Sequence, residues 1–401
     1  MKILHTADWH LGKRLDSFLR HEEQVQVLAE IERIADDENV DVVIIAGDLY
    51  DSINPSLEAQ SLFYKTLKRI AKDGNRPVIA IAGNHDSPDR IDSPDPLAKE
   101  CGIIFIGKPK AVVQPISLDG KFCITTTVPG LLELQLPNHP PLRIIHTAFA
   151  NEHRLKEYLG EDKALGINEV LQNHWQELAN EYCDEKGINI LTTHLYMQKK
   201  GSALEAEPEG EKPLNIGNAD VVFSNIVPAQ IQYTALGHLH RNHNIGTDEK
   251  PIVYSSSPLA YSFAEAQQTK YVVLIDAAPN TPVTYTNVAL SSGRTLYKKT
   301  FEHIDEAVVW LKEHPYALVE LTIYAENFLT PAELKQLYEA HDGIIFIIPK
   351  VKHQHKGANA PHQEIDLNKD VVSLFKEYFQ SREQVPPNDE LLAILKEIIS
   401  E

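Results

Sequence analysis

Short apolar runs alternate with helical periods through the first quarter of the chain. KILHTA (2–7) reads as a strand. Between 22 and 37 the apolar residues Val25, Leu28, Ile31, Ile34 and Ala35 recur at the spacing of one helix face. DVVIIAG (41–47) is apolar nearly throughout, the pattern of a strand covered on both sides. A second helix is predicted over 56–72, with Asn54 and Pro55 placed to start it and Gly74 to end it. RPVIAIAG (76–83) is a third strand. Strand and helix alternate, so the pattern predicts an α/β fold with helices layered on a sheet.

Further along, residues 151–186 read as helical and polar, and GINILTTHL (187–195) and IQYTALGHLH (231–240) return to strand. Residues 198–218, with several Gly, Glu and Pro, read as a long surface loop. KYVVLIDA (270–277) and PVTYTNVAL (282–290) continue the strands. From 303 to 351 the order becomes helix, strand, helix, strand, a compact α+β unit. KHQHKGANAPHQE (352–364) reads as a linker. The tail, about 366–401, reads as two amphipathic helices around VPPND (385–389), too short to be stable alone and so expected to dock. In the first of them Val371, Val372, Leu374, Phe375, Tyr378 and Phe379 make an apolar face.

The 401 residues, 43% of them hydrophobic, can bury a large core and suit two or three domains. No apolar run spans a bilayer and no secretory leader is visible, so no membrane role and a cytoplasmic location are expected. The three cysteines, Cys101, Cys123 and Cys183, lack metal-ligand spacing and read as reduced thiols. The formal charge of −19 argues against a simple basic nucleic-acid-binding module. It leaves open a nuclease whose metals and partner subunits bring the positive charge.

The polar residues that interrupt the apolar runs carry the chemistry. In order they are Asp8 and His10 in DWH, Asp48 and Asp51 in GDLYD, Asn84, His85 and Asp86 in GNHD, His194 in TTHL, and His238 and His240 in GHLH. Each cluster follows a strand, and loops past the carboxyl ends of strands in open α/β sheets converge on one crevice. Singly each has an ordinary explanation: a helix cap, a turn, a satisfied core histidine. Five together make a site. Imidazoles, carboxylates and one amide oxygen without sulfur suit Mn, Fe or Zn. There are donors enough for two ions, the arrangement that clamps a phosphorus centre for in-line displacement.

These clusters, quoted as ILHTADWHLGKRL, AGDLYD, AGNHD and ALGHLHR, resemble the calcineurin-like metallophosphoesterase superfamily, and within it the nuclease subunits that work beside SMC-like ATPases. SSSPLAYSF (255–263) followed by KYVVLID adds to the likeness, which covers residues 1 to about 276. The resemblance implies a β-sandwich flanked by helices. It implies a nuclease domain over 1–278, a small capping domain over 279–352, a linker over 353–365 and a tail over 366–401 that binds the partner ATPase. One ion would be held by Asp8, His10, Asp48 and His240, the other by Asp48, Asn84, His194 and His238, with Asp48 as the bridge. Two divalent ions, Mn2+ foremost, would lower the pKa of the attacking water. His85 would contact the phosphate and protonate the leaving oxygen, Asp51 would orient His85, and Asp86 would support the loop. The family's activity implies DNA as substrate, with 3'-5' exonuclease action on duplex ends and endonuclease action on single strands and hairpins. It further implies a homodimer within a heterotetramer.

Two readings compete with this. A phosphatase or small-molecule phosphodiesterase could share the ligand set. Purple acid phosphatases, however, have tyrosine where Asp51 stands, and serine/threonine phosphatases follow that aspartate with Arg-Gly where Ser52 and Ile53 stand. Small cyclic-nucleotide phosphodiesterases usually end after the catalytic domain. The other reading is a non-catalytic scaffold, which the intact ligand set disfavours.

Overall fold

The computed structural model describes residues 1–160, 163–202, 221–325 and 329–351, and in the tail 372–376, 379, 387, 391–392 and 395. Its principal strands are β1 (Lys2–Thr6), β2 (Val42–Ala46), β3 (Val78–Ile81), β4 (Ile103–Ile106), β5 (Phe122–Val128), β6 (Leu131–Gln135), β7 (Leu142–Thr147), β8 (Ile188–His194), β9 (Tyr233–Gly237), β10 (Ile252–Tyr254), β11 (Tyr271–Asp276) and β12 (Thr284–Ala289). The helices among them are α1 (His21–Asp37), α2 (Leu57–Ala71), α3 (Glu152–Leu155) and α4 (Lys163–Tyr182), besides two short helices after β3.

The strands form two sheets. One runs β12-β11-β1-β2-β3-β4, parallel from β1 to β4 and antiparallel across β11 and β12. The other has β10-β9-β8-β7-β6-β5 at its centre, parallel from β7 to β10. Ile44 and Val42 of the first sheet share one buried cluster with Leu132, Ile144, Ile190 and Ala235 of the second. The sheets therefore face each other across a dry interior, a sandwich. Ile31 of α1 and Phe63 of α2 join the same cluster, while α4 lays Ile167, Leu171 and Trp175 against Ile145 and Leu191 on the far side of the second sheet.

Local details differ from the sequence reading in three places. The buried stripe of α1 uses Val27, while Val25 is 41% exposed. The cap of α2 is Ser56, whose hydroxyl accepts from the Ala59 amide at 3.2 Å, and the helix ends at Lys72 in the left-handed region. β12 pairs along its length with β11, so the first sheet runs past the expected boundary at 278.

The small unit is a parallel βαβαβ arrangement: β13 (Thr295–Phe301), α5 (Ile304–Glu313), β14 (Ala317–Ala325), α6 (Pro331–Ala340) and β15 (Ile344–Val351). Its first strand, rich in Lys and Thr, went unread in the sequence. Thr330 and Glu333 form a reciprocal capping box at the start of α6. Leu296 and Leu318 of this sheet pack on Leu15 and Phe263 of the sandwich. Two carboxylates of α1 hold the connector: Glu30 accepts the Ser291 and Ser292 amides at 3.0 and 2.8 Å, and Glu23 accepts the Arg294 amide at 2.5 Å. Met1–Val351 is one compact unit and Lys352–Glu401 a second. In the second, residues 372–376 are helical and Phe375 lies 5.8 Å from Phe379, ring to ring. The expected linker (353–365) and most of the second tail helix lie outside the described residues, as does most of the expected loop at 198–218.

Candidate metal centre

Parallel strands put their carboxyl ends on one edge of each sheet. The ends of β1, β2, β3, β8 and β9 and the loops leaving them carry the ten polar residues singled out in the sequence, with His194 the last residue of β8. Asp8, His10, Asp48 and His238 hold φ of 55, 43, 48 and 103°, in the left-handed region. Non-glycine residues enter it at a cost on the order of 1–3 kcal/mol, which persists only where the surroundings fix the backbone. Here they do: the Asp8 amide donates to the Gly47 carbonyl at 2.9 Å and the His10 amide to that of Asp48 at 3.0 Å. Gly47 combines φ 93° with a position where a Cβ would stand 2.2 Å from His194 Nδ1. Gly83 is needed for room: its Cβ would fall 2.1 Å from Asp48 Oδ1.

Two donor groups share this floor. In one, atoms of Asp8, His10 and His240 lie within 4.8 Å of one another; in the other, atoms of Asp8, Asp48 and His194 do so. His10 Nε2 is 3.0 Å from His240 Nε2. Asp48 stands between the groups, with Oδ2 3.6 Å from His10 Nε2 and 3.2 Å from His194 Nε2. Asn84 Oδ1 is 3.0 Å from the same His194 nitrogen. His238 belongs to neither group by this measure. Its amide donates to Asp8 Oδ1 at 2.8 Å, and its ring lies 5.5 Å from that of His194. Asp8, His10, Asp48, His194, His238 and His240 are all buried.

The donor set fits divalent metal. His194 Nδ1 donates to the Ala46 carbonyl at 2.8 Å, which leaves the Nε2 lone pair facing two oxygens. A cation must stand there. Without metal it is a proton: burial opposes it, but the Asp48 carboxylate, with Asp8 behind it, raises the His194 pKa to about 9. Burial works against ionised Asp48 too, yet the His194 charge and hydrogen bond, with His10 and His85, hold its pKa well below the usual carboxylate range. Burial pushes Asp8 up to about 6, against the pull of His194 and His240. Asp8 Oδ2 is buried with no hydrogen-bond partner among the described residues, a cost that coordination removes.

A pH dependence follows. His194 keeps its extra proton below about pH 9, and a metal must displace it. Apparent Mn2+ affinity is therefore expected to rise with pH, about tenfold per unit between 6.5 and 9, and more steeply below about 6 where Asp8 also protonates. Calorimetric titration in buffers of different ionisation enthalpy would register the released proton. A pH-independent affinity would contradict it.

His85 sits at the rim, 7% exposed. Its amide donates to Asp48 Oδ1 at 2.9 Å, and its Nδ1 donates to the main-chain carbonyl of Asp51 at 2.7 Å. The orienting oxygen is thus the Asp51 carbonyl, whereas the carboxylate was expected. That carboxylate is taken by Lys13 Nζ at 3.2 Å, and one of its oxygens still comes within 4.8 Å of His10 and His85 nitrogens. Asp86 is buried and accepts three amides, Gly83 (2.8 Å), Leu49 (3.0 Å) and Tyr50 (3.0 Å), tying the GNHD loop to GDLYD. From the far side Arg154 of α3 donates to the carbonyls of Gly83 and Asp86, each at 2.8 Å, over the Phe149 ring. The sequence reading missed Arg154, because an arginine in a polar helical run carries no signal of its target. It also missed Glu265, between the quoted SSSPLAYSF and KYVVLID, and gave no role to Lys270, the first residue of KYVVLID.

Comparison with known proteins agrees with this geometry. A model of the family "Calcineurin-like phosphoesterase" matches residues 1–224. A Bacillus subtilis (strain 168) protein, named as the SbcD subunit of the nuclease SbcCD, is 34% identical over an alignment covering 100% of this chain and 98% of that protein. A protein of the same name from Staphylococcus epidermidis is 28% identical over 96% of this chain and 94% of its own.

Proposed function

The chain belongs to the calcineurin-like phosphoesterase family, and from that premise we propose that it is a metal-dependent DNA nuclease. It cleaves duplex ends in the 3'-5' sense and single strands or hairpins internally. The reading rests chiefly on one observation: likeness to a nuclease subunit runs through the small βαβαβ unit and the tail, beyond the 224 residues that the phosphoesterase family model matches. A phosphatase or small-molecule phosphodiesterase would need only the sandwich.

The site takes two divalent ions, with Mn2+ the native choice. Such ions, when bound, neutralise a phosphodiester and make water acidic enough to attack it. Asp8, His10, Asp48 and His240 would hold one, Asp48, Asn84, His194 and His238 the other. The chain's own part is orientation and proton transfer. His194 is fixed by Ala46, His85 by Asp51 and the Asp48 loop by Asp86. With Nδ1 committed to the Asp51 carbonyl, His85 carries its transferable proton on Nε2, the atom we assign to the leaving oxygen.

The relatives' name makes them one subunit of a nuclease. We extend that to this chain: the tail binds an SbcC-type SMC-like ATPase, and two copies of each make a heterotetramer in the cytoplasm. The small βαβαβ unit caps the site and guides DNA. Among the described residues no helix is long and apolar enough to cross a membrane.

The test compares labelled duplex, hairpin DNA and p-nitrophenyl phosphate side by side with Mn2+. Cleavage of both DNAs with little phosphatase activity is expected. Robust phosphatase activity with intact DNA would overturn the reading.

A further inference from the structure

SSSPLAYSF was singled out in the sequence; its Phe263 packs against the small sheet, and the residues before it have another place. In the fold it becomes a buried bracket behind one metal ligand. Ser255, Ser256 and Ser257 are fully buried, and Glu265 and Lys270 are 3% and 6% exposed. Glu265 Oε1 lies 3.2 Å from His240 Nδ1 and accepts the Tyr261 amide at 3.2 Å. Lys270 Nζ donates to Glu265 Oε2, to the His240 main-chain carbonyl at 2.8 Å and to Ser257 Oγ at 3.1 Å. Three protons meet three acceptors, so the ammonium is fully used. One Glu–Lys pair thus grips both the side chain and the backbone of His240.

We propose that Glu265 is a positioning residue for the metal centre: its carboxylate takes the Nδ1 proton of His240 and so commits Nε2, the nitrogen facing His10, to metal. An ionised carboxylate only accepts hydrogen bonds, so the ring atom facing it must be the protonated one. Carboxylates behind metal-binding imidazoles fix tautomer and orientation in this way. A purely structural role, an ion pair pinning the 255–270 loop, would hold the loop without dictating the tautomer. The inference rests on the metal-centre reading above.

Glu265→Gln separates the two roles. The amide has one oxygen; if that oxygen faces Lys270, the NH2 group faces His240 Nδ1 and reverses its tautomer. The readout is Mn2+ stoichiometry and affinity by calorimetry, beside the melting temperature of metal-free protein. E265Q is expected to weaken one of two Mn2+ sites about 10–100-fold. Glu265→Asp, which keeps a carboxylate, should lose less. In a His240→Gln background E265Q should change Mn2+ affinity no further, because the ring it acts through is gone.

Unchanged Mn2+ binding by E265Q, however far its metal-free melting point falls, would overturn the proposal. If wild type binds metal and H240Q loses a site, only this inference fails; if wild type binds none, the metal reading fails first. Should E265Q not fold, 15N spectra of zinc-loaded wild type, with His240 assigned against H240Q, decide instead. Zinc on Nε2 with the proton on Nδ1 supports the proposal, and the opposite pattern overturns it.

Discussion

His85→Ala is expected to retain both metals while cleavage of DNA falls by about 10²–10⁴-fold, the usual contribution of a positioned acid or base. The geometry separates the two effects. The ring hangs from the Asp51 carbonyl at the rim, and it is the backbone amide of residue 85 that touches Asp48, at 2.9 Å. Alanine keeps that amide. Asn84, the neighbouring residue proposed as a metal donor, is likewise held by a loop whose anchors are Asp86 and Arg154. Metal analysis of purified H85A, with cleavage of a labelled duplex across pH, checks the prediction. Loss of metal together with activity would refute the assigned role and make His85 a ligand.

Asp48→Asn should act in the opposite way, emptying both sites and taking cleavage to background. Asp48 Oδ2 lies within 3.6 Å of imidazole nitrogens in both donor groups. An amide removes the negative charge that makes the pair of sites attractive to cations, and also the partner that raises His194 to about 9. The metal-free variant should therefore bind one proton fewer near neutral pH. The metal-free fold should lose some stability as well, because a carboxylate whose pKa is held well below the usual range is favoured as a charge in the folded chain despite its burial, and asparagine gives that up. Elemental analysis gives the metal content and circular dichroism the fold. Retention of two ions per chain by D48N would sink the bridging assignment.

Much of this was legible along the chain. The strands before Asp8, Asp48, Asn84, His194 and His238 show as apolar runs, since strands buried on both faces must be apolar, and their polar ends mark the site. What could not be read were contacts set by distant backbone. Whether Asp51 offers His85 its carboxylate or its carbonyl depends on the loop path, and Lys13 decides the matter by claiming the carboxylate. Arg154 meets Gly83 across 71 residues. The strand Thr295–Phe301 hides because its exposed face carries Lys and Thr, which resemble a loop until a partner strand is known.

The glutamate grip on the connector has a mechanical meaning. Residues 291–294 are bound to two carboxylates of α1, and Gln24 of that helix, next to Glu23, donates to the His10 carbonyl at 2.9 Å. Swinging the small sheet away would break three amide–carboxylate bonds and uncover Leu296 and Leu318, the bonds alone contributing about 0.5–1.5 kcal/mol each. If the small unit caps the site as proposed, it does so as a fixed wall: the width of the entrance is set when the chain folds, and a nucleic acid too broad for it would have to be reshaped before it could enter.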